Sequence, residues 1–256
     1  MDASSDQYDY EFGVALDAGR KRSQSPNQDS AEVVQADPMI SHPPLLLLAD
    51  GMGGHRGGEV ASRIVVDVFK WQFKQNRHPA DYPSLLEECA KKAHIAVRVH
   101  GTQDENLAHM GSTVVAVVLE EGKIHLLNDG DSRTYIMRGN KMMQVSQDQS
   151  WAAEQVRAGL LAPQAALNHP GRNRLNMAIT AQRPEIKPFT AQATVEPEDT
   201  LLLCSDGLWS VVPESLVRAV LAEFSPQAAA QRLVSLANQC RGPDNISVIV
   251  ARRRDR

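Results

Sequence analysis

The chain has 256 residues, 42% hydrophobic and 23% charged, with a net charge of -4. That composition is ordinary for a soluble globular protein and excludes a disordered or collagen-like chain. No apolar run approaches the length of a membrane span. No basic stripe of the kind nucleic acid requires is visible apart from the tail "ARRRDR", which reads as a solvated end. The start, "MDASSDQYDYEFG", is acidic and polar and does not read as a signal peptide. Cys89, Cys204 and Cys240 are far apart and odd in number, which predicts reduced thiols and a cytoplasmic protein.

In chain order, "EFGVALDAG" and "SAEVVQA" read as short strands on either side of a polar loop, Arg20 to Asp29. "PPLLLLAD" is an uninterrupted apolar run and predicts a strand buried on both faces. "GGEVASRIVVDVFKWQF" and "SLLEECAKKAHIAVRVH" carry apolar residues at helical spacing. The period then changes. "STVVAVVLEEGKIHLLNDGDSRTYIMRGNKMMQV" alternates strands with turn signals at Glu-Gly, Asp-Gly and Gly-Asn, which predicts a meander of antiparallel strands. "SWAAEQVRAGL" predicts a helix, and the Pro-, Asn- and Arg-rich stretch from Ala162 to Pro188 predicts irregular structure. "DTLLLCSDG" is a second buried strand, helices follow from Pro213 and Pro226, and "NISVIVARR" is the last strand. The simplest layering is an α+β sandwich of four layers, αββα. Two mostly antiparallel sheets lie face to face with a helix pair on each outer side. A doubly wound parallel sheet is the rival, and the uninterrupted meander argues against it.

Two buried strands end in the same way, "LLLLADG" at Leu45–Gly51 and "LLLCSDG" at Leu201–Gly207. A single Asp-Gly after a strand is ordinarily a turn. Here a third acid, Asp244, stands just before the last strand in "RGPDNISVIV", and a fourth, Asp29, just before the second in "SPNQDSAEVV". If the strands lie in facing sheets, the ends of these four strands can converge. Clustered carboxylates repel, and hard cations resolve the repulsion without protonation. An all-oxygen set with no His or Cys pair suits magnesium or manganese rather than zinc. The glycines after Asp50 do not form a phosphate loop. A dinucleotide fingerprint from Gly51 would need glycine where Arg56 stands, and a Walker A loop from Gly53 would need lysine where Glu59 stands.

"DGMGGHRGGEVAS", "MGSTVVAVV", "GDSRTYIMRGNKMMQVSQDQS", "LLLCSDGLWSVV" and "PDNISVIV" occur in this order. Together they resemble the motif set of bacterial PPM-type (type 2C) metal-dependent serine/threonine protein phosphatases. The resemblance covers about residues 10–252 and implies a single catalytic domain over 1–256. It implies two Mn²⁺ or Mg²⁺ ions, with Asp50 bridging them, the Gly51 carbonyl on one, Asp206 and Asp244 on the other, and Asp29 acting through waters. Such a pair generates hydroxide at neutral pH for direct hydrolysis of phosphoserine or phosphothreonine. His55 is the candidate proton donor to the leaving group.

Three positions depart from the family pattern. Gln24 stands where the family has its arginine, in a loop that looks two residues longer, so Arg22 is the candidate phosphate clamp and Arg20 the alternative. Gln28 stands where many members have glutamate. Ala108 replaces an aspartate that holds a third ion in some members, which predicts a weak or absent third ion. The resemblance implies phosphorylated protein substrates, targets of a serine/threonine kinase. No nucleic-acid or membrane partner is expected, and a monomer is. The alternative function is a catalytically weak or inactive regulator that binds a phosphoprotein on the same fold.

Overall fold

A computed structural model describes residues 10–36, 42–53, 57–76, 79–167 and 169–254. The chain runs β1 (Tyr10–Asp17), a 3-10 turn (Arg20–Arg22), β2 (Asp29–Val34), β3 (Leu45–Met52), and helices α1 (Gly57–Gln75) and α2 (Tyr82–Gln103). It continues through β4 (Gly111–Ser112), β5 (Val114–Glu120), β6 (Lys123–Asp129), β7 (Arg133–Arg138) and β8 (Lys141–Gln144). Helices α3 (Trp151–Arg157) and α4 (Pro163–Leu167) lead to β9 (Ile179–Thr180), β10 (Phe189–Thr194) and β11 (Thr200–Cys204). A single turn α5 (Asp206–Trp209), α6 (Glu214–Glu223), α7 (Pro226–Gln239) and β12 (Ile246–Arg253) complete it.

One sheet has five strands in the order β1-β12-β11-β7-β8. The other has seven: β10-β6-β5-β3, with β2 on the other side of β3 and β4 and β9 continuing from its end. Every strand pairing is antiparallel. The expected αββα layering is present, and the leucine run is its clearest cause. Leu45 and Leu47 point to the core under α1 and α2, whereas Leu46 and Leu48 point to the core between the sheets. Side chains alternate across a strand, so a strand between two apolar layers must be apolar at every position.

The helices bury one face each. On α1, Ala61, Val65, Phe69 and Phe73 recur every fourth residue and are all buried. Helix α2 starts where the Asp81 side chain accepts the Ser84 N–H at 2.8 Å. On α7, Ala229, Leu233 and Ala237 pack with Val217 and Leu221 of α6 against the five-stranded sheet. No helix among the described residues is long and apolar enough to cross a membrane.

The expected meander is a correction. β5 and β6 form a hairpin in the seven-stranded sheet, and β7 and β8 form one in the five-stranded sheet. The Asp-Gly between them is no hairpin turn: Gly130, at φ +116, lies where the chain crosses from one sheet to the other. The tail is a second correction. Arg252 belongs to β12, and its guanidinium donates to the Leu221 and Phe224 carbonyls at the end of α6. That end carries the negative pole of the helix, which a cation stabilises. Two further elements escaped sequence reading. β10 is half-exposed and lacks an apolar run, and the Pro-rich stretch holds the short helix α4 and the two-residue β9.

Leu47→Ala should cost about 2–5 kcal/mol of unfolding free energy, because it opens a cavity in a fully buried layer. Urea denaturation would measure it, and a loss below about 1 kcal/mol would contradict the two-sided burial of β3.

Candidate metal centre

The acids named from the sequence meet at one end of the sandwich. Asp29 opens β2 directly opposite Asp50 near the end of β3. Three bonds hold the Asp50 backbone. Its N–H donates to Thr113 Oγ1 at 3.0 Å, and its carbonyl accepts from the Thr113 N–H at 2.8 Å and Ser112 Oγ at 3.1 Å. With its main chain fixed, the carboxylate lines the cleft. Gly51 follows, and a Cβ there would stand 2.1 Å from the Gly58 carbonyl oxygen and 2.4 Å from that of Gln28, so only glycine lets α1 start here.

The second sheet supplies the other wall. Asp206 begins α5 straight after β11, and Gly207 packs so tightly on the chain before β12 that a Cβ would lie 1.9 Å from the Asn245 carbonyl oxygen. Asp244 precedes β12. Asn245 ties three loops together: its Oδ1 accepts the Gln28 N–H at 3.0 Å, its Nδ2 donates to the Ala18 carbonyl at 2.8 Å, and its own N–H donates to Asp244 Oδ1. Asp50, Gly51, Asp206 and Asp244 line a single open cleft of about 890 Å³, together with Arg22, Gln28 and Asp131.

Asp131 was not picked out from the sequence. It sits in "NDGDSR", whose Asp-Gly repeats the strand-end signal of the other two units but reads as one more turn in a row of strands. The crossover between sheets turns it into a buried cleft residue. Its neighbours fix it: the Trp209 indole N–H donates to the Asp131 carbonyl at 3.0 Å, and the Arg133 guanidinium lies 3.7 Å from the Trp209 ring centroid while pairing with Asp148.

The electrostatics show what such a cluster costs. Burial raises the Asp29 carboxyl to about 6, and the charge of Asp244 adds to the rise, while the Ser247 and Ser205 hydroxyls pull it down. Burial raises Asp131 to about 7, helped by Asp148 and Asp244 and opposed by Arg133. Asp50 and Asp206 stand well above the ordinary carboxylate range, first from burial and then from the other carboxylates around them. Neither oxygen of Asp29 nor Oδ1 of Asp206 meets a well-oriented donor. Buried, mutually repelling, under-bonded carboxylates are the donor set of a hard divalent cation, so the residues present fit one. Among the described residues no three such side chains are drawn into a tight ligand cluster.

Arg22 lies in the cleft and forks onto Asp244, with Nη1 to Oδ1 at 2.9 Å and Nη2 to Oδ2 at 3.0 Å. Arg20 is exposed and borders a different hollow, between the turn and α7. Gln28 lines the cleft. His55 lies outside the described residues, so the candidate proton donor has no placement. Ala108 ends the 3-10 turn Glu105–Leu107 and is not among the residues lining the cleft.

The protein phosphatase 2C family profile matches residues 18–240. The chain belongs to this family. Among curated proteins, the serine/threonine phosphatase stp of Listeria innocua is 31% identical over 215 residues, covering 82% of this chain and 84% of that protein. The protein phosphatase PhpP of Streptococcus pneumoniae is 32% identical over 245 residues, covering 93% and 95%. Among solved structures, the PstP catalytic domain in complex with two manganese ions superposes with a TM-score of 0.83 at 29% identity, over 96% of this chain and 99% of that one. Membership in the protein phosphatase 2C family makes the chain a serine/threonine protein phosphatase, a metal-dependent hydrolase.

A raised carboxyl pKa favours the folded state only while the group is protonated. The stability that Asp29 and Asp131 contribute is full below the unfolded value near 4 and is lost as pH rises through about 6 and about 7. The metal-free protein should therefore melt at lower temperature at pH 8 than at pH 5.5. Manganese should raise the melting temperature more at pH 8, since it binds the ionised form. Calorimetric scans with and without EDTA would decide this, and an equal manganese effect at both pH values would contradict it.

Proposed function

We propose that the cleft removes phosphate from phosphoserine and phosphothreonine in proteins, using two Mn²⁺ or Mg²⁺ ions held by Asp50, the Gly51 carbonyl, Asp206 and Asp244. The observation that carries this is the convergence of strand-end carboxylates from both sheets on one cleft that also holds Arg22. The PstP catalytic domain, with its two manganese ions, supports the count. When bound, two such ions acidify water at neutral pH and offset the charge of the phosphoryl oxygens.

The chain's own groups do the rest. The backbone bonds around Asp50 hold its carboxylate between the two walls, so the site forms only when the sheets are packed. Asp29, buried opposite Asp50, would reach such ions only through water. Arg22 has its fork on Asp244 in this structure, and the same guanidinium would turn to a phosphate dianion, which it matches in shape and charge, once Asp244 holds an ion. Its pairing with Asp244 keeps that fork at the metal end of the cleft. Gln24, Ser25, Pro26, Asn173 and Leu175 also line the cleft. His55 is the proton donor on sequence grounds. With Ala108 in place of a carboxylate, a third ion has few protein oxygens to bind and is held weakly.

We place the enzyme in the cytoplasm as a monomeric single domain acting on targets of a serine/threonine kinase. Three free cysteines agree with a reducing compartment. The alternative, an inactive phosphoprotein-binding regulator, is disfavoured by the intact acid set.

Asp206→Asn should lower manganese-dependent turnover of p-nitrophenyl phosphate by at least about 100-fold while the protein stays folded. EDTA should silence the wild type and manganese restore it. Calorimetric titration should find two tight ions, with any third only at millimolar metal. Near-normal turnover of the variant at saturating manganese would refute the ligand assignment.

Arg22→Ala should raise KM for a phosphothreonine peptide by about 10- to 100-fold, the loss of a charge-assisted contact of about 1.5–3 kcal/mol, with a smaller change in kcat. Arg20→Ala should change KM little. The reverse ranking would move the clamp to Arg20.

A further inference from the structure

The turn that carries Arg22 cannot hold itself in place. Arg20–Arg22 is three residues long, and its own closing bond is the Arg22 N–H to the Gly19 carbonyl at 3.1 Å. So short a turn is not stable alone. No residue of it is buried, so packing does not place it either. Its position must come from bonds to neighbouring elements.

The Arg22 side chain pairs with Asp244 on the cleft side, and the backbone of the turn is held by Asn238 and Gly242. The Arg20 N–H donates to Oδ1 of Asn238 at 3.0 Å. The Nδ2 of the same amide donates to Asp17 Oδ1 at 3.0 Å, and that oxygen also accepts the Gly19 N–H at 2.8 Å. The Lys21 N–H donates to the Gly242 carbonyl at 3.0 Å. Asn238 thus closes a ring from the end of β1, through its own amide, to the first residue of the turn. The fit is close. Gly242 has φ +46, and a Cβ on it would stand 2.4 Å from Asn238 Oδ1 and 2.6 Å from the Arg20 nitrogen. Gly19 has φ +76, and a Cβ there would stand 2.0 Å from the Asp244 carbonyl oxygen. The amide sits one residue beyond Ala237, which is fully buried against the five-stranded sheet, so its base does not move.

We propose that Asn238, on the outer helix α7, is a positioning residue for phosphate recognition: its amide fixes the Arg20–Arg22 turn and thereby where the Arg22 guanidinium stands in the cleft. The inference rests on Arg22 as the phosphate clamp. Asn238 itself touches neither substrate nor metal ligands. It acts by holding a backbone that would otherwise sample several positions, and each sampled position away from the bound one lowers the effective affinity for phosphate.

The test separates this role from plain structural support by a split between KM and kcat and by a double-mutant cycle. Asn238→Ala should raise KM for a phosphothreonine peptide about three- to tenfold, as the loss of one or two neutral hydrogen bonds allows. Its kcat and manganese titration midpoint should stay within about twofold of wild type. In an Arg22→Ala background the same substitution should add almost nothing to KM, because the group it positions is gone. If Asn238→Ala does not fold, Asn238→Gln moves the amide out by one methylene and carries the same expectation. An unchanged KM in a folded Asn238 variant, beside a raised KM in Arg22→Ala, overturns the positioning role and leaves the clamp standing. So do KM effects of the two substitutions that multiply. An unchanged KM in Arg22→Ala overturns the clamp itself, and with it this inference.

Discussion

Like-charge repulsion among buried carboxylates is the constraint around which the molecule is built. Asp29, Asp50, Asp131 and Asp206 each feel the others or Asp244, and burial alone already pushes them toward the neutral form. A protein under selection for stability alone would not gather them. Cations of high charge density, and the partial relief that Arg22 gives to Asp244 and Asp206, are what such a cluster calls for.

The rest of the fold serves to hold these groups together against their repulsion. Asp29 and Asp50 belong to the seven-stranded sheet, and Asp206 and Asp244 flank strands of the five-stranded one. The apolar layer between the sheets, with Leu46, Leu48, Leu201, Leu203 and Ile249, therefore works against the electrostatic cost at the rim. Burial of that area is non-directional. Direction comes from the backbone bonds to Asp50 and from Asn245, which knits the loops before β2 and β12 to the end of β1. Glycines at 51 and 207 allow close backbone approach within each wall, of Gly51 to Gly58 and Gln28 and of Gly207 to Asn245.

Much of this was legible in the chain. Four acids at strand ends, the two-faced leucine run and the helix pairs gave the layers and most of the cleft. What escaped has physical causes. Asp131 was hidden because Asp-Gly reads the same in a hairpin and in a crossover, and the difference lies in which sheet the next strand joins. β10 was missed because a half-exposed edge strand needs no apolar run. The arginine tail was misread because cations near a helix end, distant in sequence, have a local pattern no different from solvated ones.

The sequence by itself determined the elements with strong period, the oxygen-only donor set, and the exclusion of phosphate-loop chemistry. These depend on residue type and local spacing, which the chain states directly. Only the tertiary structure decided between Arg22 and Arg20 for the cleft, added Asp131, and tied the Arg22 turn to Asn238 on α7. The arginines are two residues apart on a short turn, and no local rule says which faces inward. Bonds from residues more than 200 positions away in sequence settle it.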